Sequence, residues 1–130
     1  MSVRARSWLR LGVATTLLAG LFACVTPSVP LPPPLISSLS FAQAPTAGQV
    51  VMQGAPTSRH ANVRFYVYNR SKGDGAIAQA GADGSFTTVP FLGASGDNVQ
   101  LYYDTPDGDR SENICVTLQL TGSLVGNTCQ

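Results

Sequence analysis

The chain has 130 residues, 44% of them apolar and only 12% charged, with a formal net charge of +1 at pH 7. A chain of this length has room for one domain of ordinary size once a targeting segment is set aside. From Cys24 onward five basic side chains stand against seven acidic ones, a formal charge of −2, because the other three arginines lie in the first ten residues. This balance excludes a basic patch for nucleic acid and a polybasic stripe for anionic lipid.

The N-terminus predicts an export signal peptide over residues 1–23. Residues 1–10 carry three arginines and no acidic residue, and residues 11–23 form an apolar run of thirteen. Such a run has the length of a signal-peptide hydrophobic region and is shorter than the roughly 20 residues that span a bilayer. Leu21, Ala23 and Cys24 resemble the lipobox of bacterial lipoproteins, with Phe22 where that family more often has a small residue.

The lipobox resemblance implies that Cys24 becomes the first residue of the mature protein and carries a diacylglyceryl group, with a fatty acid such as palmitate on its amino group. The product would be a lipid-anchored protein of the cell envelope. The outer membrane is favoured, because Val25 is not the aspartate that retains lipoproteins in the inner membrane of enteric bacteria. Two alternatives remain: secretory cleavage after Ala44 and retention of the apolar run as an uncleaved anchor.

Residues 24–45 are expected to link this anchor to the domain. Residues 25–45 hold six of the nine prolines and no charged side chain. Proline fixes φ and lacks an N–H, so the segment favours extended polyproline geometry, and a stiff stalk of this length would reach roughly 65 Å. The alternatives are a linker of no set length and a segment that lies on the domain or the membrane through its apolar side chains: Leu35, Ile36, Leu39 and Phe41.

From residue 46 onward, short β-rich runs alternate with clusters of Gly, Asp, Asn and Pro. Residues 61–69, 97–104 and 113–120 each alternate apolar and polar side chains, and less regular strands are expected at 48–54, 76–81 and 84–91. A sheet with one apolar face must pack on an apolar partner, which in a chain without helices is a second sheet. We therefore predict an all-β domain over residues 46–130, with about seven antiparallel strands in two sheets.

The turn and strand signals of this domain follow a recognisable order. The sequences GQVV at 48–51, ANV at 61–63, ADGSF at 82–86 and GDNV at 96–99 succeed one another along the chain. This order resembles the small immunoglobulin-like, carboxypeptidase-regulatory and transthyretin-like (prealbumin-like) β-sandwiches of bacterial surface proteins, over residues 46–120. The resemblance implies a sandwich fold and a role as a spacer, stabilising module or adhesive domain, without catalytic residues.

The three cysteines of the chain are Cys24, Cys115 and Cys129. An odd number in an exported protein needs an explanation, and lipidation of Cys24 would leave two cysteines to pair in an oxidising compartment. A hairpin centred on Gly122, with residues 121–123 as its loop, would place Cys115 directly opposite Cys129. We predict this disulfide; the alternative is a frayed C-terminal tail whose cysteine is free or pairs between chains.

Candidate sites for catalysis and for metal binding are few. His60, the only histidine, lies in a turn-like segment with no Gly-x-Ser-x-Gly motif in the chain and no metal-ligand partner nearby, and it is expected to be exposed. The acidic loop 104–112 offers oxygen ligands for calcium but lacks the spacing of an EF-hand loop. We expect no enzymatic activity and no cofactor apart from the lipid on Cys24. The acidic residues of the loop are Asp104, Asp107, Asp109 and Glu112.

Three tyrosines, Tyr66, Tyr68 and Tyr102, fall on the polar faces of predicted strands. Exposed aromatic side chains among polar neighbours can bind a glycan or a protein, although they more often cover a sheet by packing across strands. The function predicted is a non-enzymatic structural or protein-interaction module held at the membrane by its lipid. The alternative is an accessory domain that binds a glycan, a peptide or calcium through the tyrosine-bearing face or the acidic loop.

Overall fold

Two antiparallel β-sheets form the part of the chain that the computed structural model describes, residues 29–130. Two single-turn 3₁₀ helices, Ile36–Ser38 and Ser58–His60, accompany the strands. The strands are, in chain order, β1 (Leu39–Gln43), β2 (Gln49–Gly54), β3 (Arg64–Asn69), β4 (Asp74–Gln79), β5 (Phe86–Thr87), β6 (Phe91–Leu92), β7 (Asn98–Asp104), β8 (Ile114–Thr117) and β9 (Gly126–Asn127).

The first sheet has four strands and the second has five. In the first sheet β2 pairs with β1 on one side and with β5 and β6 on the other. The second sheet has the order β4-β3-β7-β8-β9. The predicted all-β, two-sheet sandwich is therefore confirmed, with nine short strands in the described residues in place of about seven.

The core lies between the two sheets and is built from the alternating strands. In β3 and β7 the side chains of Phe65, Val67, Val99 and Leu101 are buried, while their sequence neighbours point to the opposite face. Phe65 stacks on Phe86 of the first sheet with ring centroids 4.3 Å apart. Burial of each apolar side chain of this kind stabilises the fold by about 1.5–3 kcal/mol. The inward faces predicted for β3 and β7 are therefore the faces that form the core.

Two predicted strands are shorter than expected. The strand expected at 84–91 is divided into β5 and β6, with Pro90, which has no N–H to give to a ladder, in the interval. The strand expected at 113–120 ends at Thr117. Beyond it Leu118 donates its N–H to Asp97 O at 2.8 Å and accepts from Gly96 N–H at 2.9 Å, so its backbone bonds to a turn instead of to β9.

The predicted boundary between linker and domain at residue 46 is wrong. Strand β1 pairs with β2 along its whole length, and its Leu39 and Phe41 are buried in the core. Leu31 and Ile36 also pack against the core, so the folded part begins near residue 31. The proline tract ends at Pro34, and the apolar-polar alternation that follows it is that of a strand.

The predicted signal peptide, residues 1–23, and the predicted lipidation site, Cys24, lie outside the described residues. Between residues 29 and 130 no helix has both the length and the apolar character required to cross a bilayer.

The Cys115–Cys129 disulfide is confirmed, with Cα atoms 5.0 Å apart. Its predicted hairpin register is wrong, because Cys115 lies opposite Asn127 and Cys129 is two residues further on. The connection between β8 and β9 spans residues 118–125 in place of a three-residue loop. The longer connection follows from the departure of Leu118 from the ladder to bond with the preceding turn.

Candidate functional site

An open groove lies on the outer face of the second sheet, along β4, β3 and β7. Its volume is about 700 Å³. We call it the tyrosine groove. The side chains that shape it are Tyr66, Tyr68, Ile77, Val89, Gln100 and Tyr102.

The register of three strands brings these side chains together. Tyr66 of β3 lies opposite Ile77 of β4 and Tyr102 of β7. One step along, Tyr68 lies opposite Gly75 and Gln100. Because side chains alternate across a strand, Tyr66, Tyr68 and Tyr102 share the face that is turned away from the core. All three tyrosines predicted from the sequence therefore line the same groove.

Tyr66 and Tyr102 pack against each other instead of projecting separately. Their rings are parallel within 10°, with centroids 4.7 Å apart. The Arg110 guanidinium covers the pair, with its central carbon 4.6 Å from the Tyr102 ring centroid and 5.8 Å from that of Tyr66. The two tyrosines line the groove, and their stack is the cross-strand packing expected of aromatic side chains on a sheet.

Arg110 is held over the tyrosines by Asp104. Its Nε donates to Asp104 Oδ1 at 2.8 Å and its Nη2 to Oδ2 at 3.1 Å, a bidentate pair. These hydrogen bonds, above all, lower the pKa of Asp104 and raise that of Arg110. The carboxylate is therefore ionised and already paired, and it orients the guanidinium that covers the stack.

The accessible part of the groove is apolar. Tyr68, Ile77 and Val89 are 48%, 59% and 63% exposed, respectively. The floor beside Tyr68 is Gly75, where a Cβ would lie 2.2 Å from the Val67 carbonyl oxygen. A side chain at this position would therefore clash with the backbone of β3.

Two contributors to the groove were not identified from the sequence. Ile77 alternates with Ala76 and Ala78, so the period-2 pattern of β4 contained the signal for its outward position. Val89 lies between β5 and β6, next to β4, and no local pattern predicts that contact.

The prediction for His60 is wrong: the side chain is fully buried. Its ring meets Phe65 edge-on at 4.8 Å between centroids and lies 5.7 Å from the Tyr103 ring. Its Nε2 accepts a hydrogen bond from the Leu35 N–H at 3.1 Å. Burial first, and then the charge of Arg59, lowers the pKa of His60 to about 4. The ring is buried because the residues ahead of β1, expected to form a linker, pack over it.

The acidic loop does not gather its carboxylates. Asp104 is paired with Arg110, and Asp109 gives its backbone N–H to Thr105 Oγ1 at 3.1 Å in a local turn. Within residues 29–130 no three His, Cys, Asp or Glu side chains lie close enough together to hold a metal ion. The loop serves to place Arg110 against the tyrosines.

No family model, curated protein or solved structure matches this chain. The features of this chain that point to a function are the chemistry of the groove and the N-terminal sequence.

Proposed function

We propose that this chain is a lipoprotein of the cell envelope that acts as a non-enzymatic interaction module and binds a partner protein in the tyrosine groove. Residues 1–23 are its signal peptide, and Cys24 is its acylated first residue. The outer membrane is its location in a cell that has one. The observation that carries the binding role is the exposure of Tyr68, Ile77 and Val89 side by side around an open groove.

Burial of the exposed apolar surface of the groove would favour binding of a partner. Apolar area removed from water is worth about 25 cal/mol per Å². An aromatic and two aliphatic side chains that meet a complementary surface therefore provide a useful anchor for a partner. Tyr66 and Tyr102 are already stacked, so they would lose little side-chain freedom when the groove is filled.

The lining favours a protein segment over a glycan. A glycan presents many hydroxyl groups and needs several polar side chains to receive them. In this groove the exposed side chains are mainly aliphatic and aromatic, with Gln100 and the tyrosine hydroxyls as the polar groups. Calcium binding in the acidic loop is not favoured either, because Asp104 is already engaged by Arg110.

The lipid anchor is supported by the sequence and by the place of β1. Cleavage after Ala44, the main alternative, would remove all five residues of β1 from the first sheet. Mass spectrometry of the membrane-extracted protein should show an N-terminal peptide that begins with acylated Cys24. Cys24→Ala should prevent acylation and release the protein from the membrane fraction. An unmodified N-terminus at Pro45 would contradict the anchor.

The groove is tested with a photo-crosslinking side chain at Ile77 in intact envelopes. Adducts should form with a defined set of envelope proteins, and adding Tyr68→Ser should reduce their yield at least tenfold. A matched control is Val125→Ser, because Val125 is 59% exposed and is absent from the groove lining.

Both variants must melt within a few degrees of the parent protein for the comparison to count. If Tyr68→Ser and Val125→Ser reduce the adducts equally, or neither reduces them, the groove is not the binding site.

A further inference from the structure

The residues between the proline tract and β1 are tied to the sandwich mainly by side chains. We call residues 31–38 the strap. The Tyr103 hydroxyl donates to Pro32 O at 3.0 Å, and Arg59 Nη2 donates to Pro33 O at 3.3 Å. Two backbone hydrogen bonds fix the ends of the strap: Glu112 N–H donates to Leu31 O at 3.2 Å, and Ala55 N–H donates to Ser38 O at 2.8 Å. The strap is therefore attached through a few separate contacts, unlike β1, which has a continuous ladder.

The buried His60 ring engages the strap on both ring nitrogens. Nε2 accepts from the Leu35 N–H at 3.1 Å, which requires that Nε2 carry no proton. Nδ1 then carries the proton and faces Ser38 Oγ at 3.4 Å, and Ser38 Oγ donates to Leu35 O at 2.8 Å. A single neutral imidazole thus satisfies the N–H of Leu35 directly and its carbonyl through Ser38.

This arrangement tolerates only one protonation state. An imidazolium has no lone pair, so a second proton on Nε2 would face the Leu35 N–H and leave that donor unpaired. The surroundings offer the added charge little compensation. The strap contributes Ser38, β3 contributes Phe65, β7 contributes the phenol of Tyr103, and the ring's own helix contributes the cation Arg59. Within residues 29–130, no carboxylate contacts the imidazole ring.

We propose that protonation of His60 releases the strap from the sandwich. The five residue pairs between β1 and β2 begin at Leu39 and lie outside the strap, so they can persist when residues 31–37 detach. The released state exposes the imidazole to water, where its charge is solvated and its ordinary pKa is restored. Acid therefore shifts the population towards a sandwich whose two sheets are intact and whose strap is free.

Release of the strap would lengthen the tether, a consequence that rests on the proposed acylation of Cys24. Leu31 lies seven positions after Cys24 in the chain, and Leu39 lies fifteen positions after it. At about 3.5 Å per residue, the greatest reach from the anchor to the fold rises from about 25 Å to about 50 Å. Strap release would thus double the distance at which the sandwich can work from the membrane.

The test uses the full mature chain in detergent micelles and does not require that Cys24 be acylated. His60 is the only histidine, so one imidazole signal in an NMR pH titration reports on it alone. The protection factor of the Leu35 amide against hydrogen exchange reports on the strap, and that of Val67, in the middle of β3, reports on the sheet.

Between pH 7 and pH 3 the opening equilibrium at Leu35 should rise by up to about 300-fold, the factor that corresponds to a change of pKa from 6.5 to about 4. The loss of Leu35 protection and the imidazole titration should have the same midpoint, below pH 6.5, and Val67 should remain better protected than Leu35 at every pH. Constant protection at Leu35 while His60 titrates would overturn the proposal. Equal protection of Leu35 and Val67 would do the same, since it would mean that both amides exchange only when the whole domain unfolds.

Two variants distinguish the effect of protonating residue 60 from the effect of losing a hydrogen bond to the strap. His60→Gln keeps an oxygen that can accept from Leu35 and an amide that can donate to Ser38, but it does not titrate, so Leu35 should keep its protection down to pH 3. Ser38→Ala removes the hydroxyl that bonds to Leu35 O and to His60 Nδ1. It should lower the protection of Leu35 at every pH, while the pH dependence of that protection remains. If His60→Gln loses protection with pH as the parent does, another group is responsible. If His60→Gln does not fold, the coincidence of the two midpoints in the parent decides.

Discussion

The disulfide gives the sharpest stability prediction for this domain. Only two residue pairs connect β9 to β8, Cys115 with Asn127 and Val116 with Gly126. The Cys115–Cys129 bond closes a loop with a sequence separation of 14 residues. In the chain-entropy description, closing a loop of this size stabilises the folded state by about 3 kcal/mol, because it restricts the unfolded chain. Replacing both cysteines by alanine should remove that contribution.

This loss is large for a domain of about 100 residues, which unfolds with a net free energy of roughly 5–15 kcal/mol. It should lower the melting temperature by about 12–24 °C. With a urea dependence of about 1.5 kcal/mol per molar, the midpoint of urea unfolding should fall by about 2 M. Unfolding followed by circular dichroism and by tyrosine fluorescence should give coincident transitions. Their coincidence checks that unfolding is two-state.

The double alanine variant should be compared with the parent protein under oxidising and reducing conditions. The reduced parent and the variant should have similar stability if loop closure is the cause, since both lack the cross-link and differ only in two small side chains. A loss below about 1 kcal/mol, with β9 still protected from hydrogen exchange, would refute the reasoning. A large loss in the variant but not in the reduced parent would assign the effect to packing around the fully buried Cys115.

Three further predictions concern a turn, the buried histidine and the covered stack. Gly84 has φ +85°, and a Cβ there would clash with the Thr57 carbonyl oxygen. Gly84→Ala should therefore lower the free energy of unfolding, measured in urea, by at least about 2 kcal/mol. Gly96→Ala is the control and should lower it by about 1 kcal/mol, because φ is +93° there but the space around a Cβ is open. The pKa of His60 is lowered from 6.5 to about 4, so the unfolded chain binds the proton more tightly than the folded one. The free energy of unfolding should therefore fall by about 3 kcal/mol at most as the pH drops from 6.5 to 4. This fall should disappear in His60→Gln. Arg110→Gln should raise the pKa of Asp104, measured by carboxyl NMR, and an unchanged pKa would contradict the role given to the bidentate pair.

The parts of the fold that were predicted are those with a local pattern. In β3 the alternation of Phe65 and Val67 with Tyr66 and Tyr68 assigns one face to the core and the other to the surface, and the structure confirms both faces. The tyrosines were predicted as a binding face for the same reason. Their mutual stacking under Arg110 depends on register and on the loop after β7, which the alternation does not contain.

The errors have a common cause in contacts between distant segments. Residues 31–45 were expected to be a linker because the proline tract dominates their composition, yet Leu39 and Phe41 pair with β2 and enter the core. His60 was expected to be exposed because it lies in a turn-like segment of the sequence. It is buried because the strap, 25 residues earlier in the chain at Leu35, folds over it.

The sequence by itself determined the all-β class, the inward and outward faces of the strands, and the pairing of Cys115 with Cys129. The first two follow from period-2 alternation and from turn residues, which are local in the sequence. The disulfide follows from the number of cysteines, which can be counted without knowing the fold. The tertiary structure alone decided the groove between Tyr68 and Val89, the hairpin register and the burial of His60. Each depends on which segments pack against each other, and that is settled by how the two sheets and the strap fill one core.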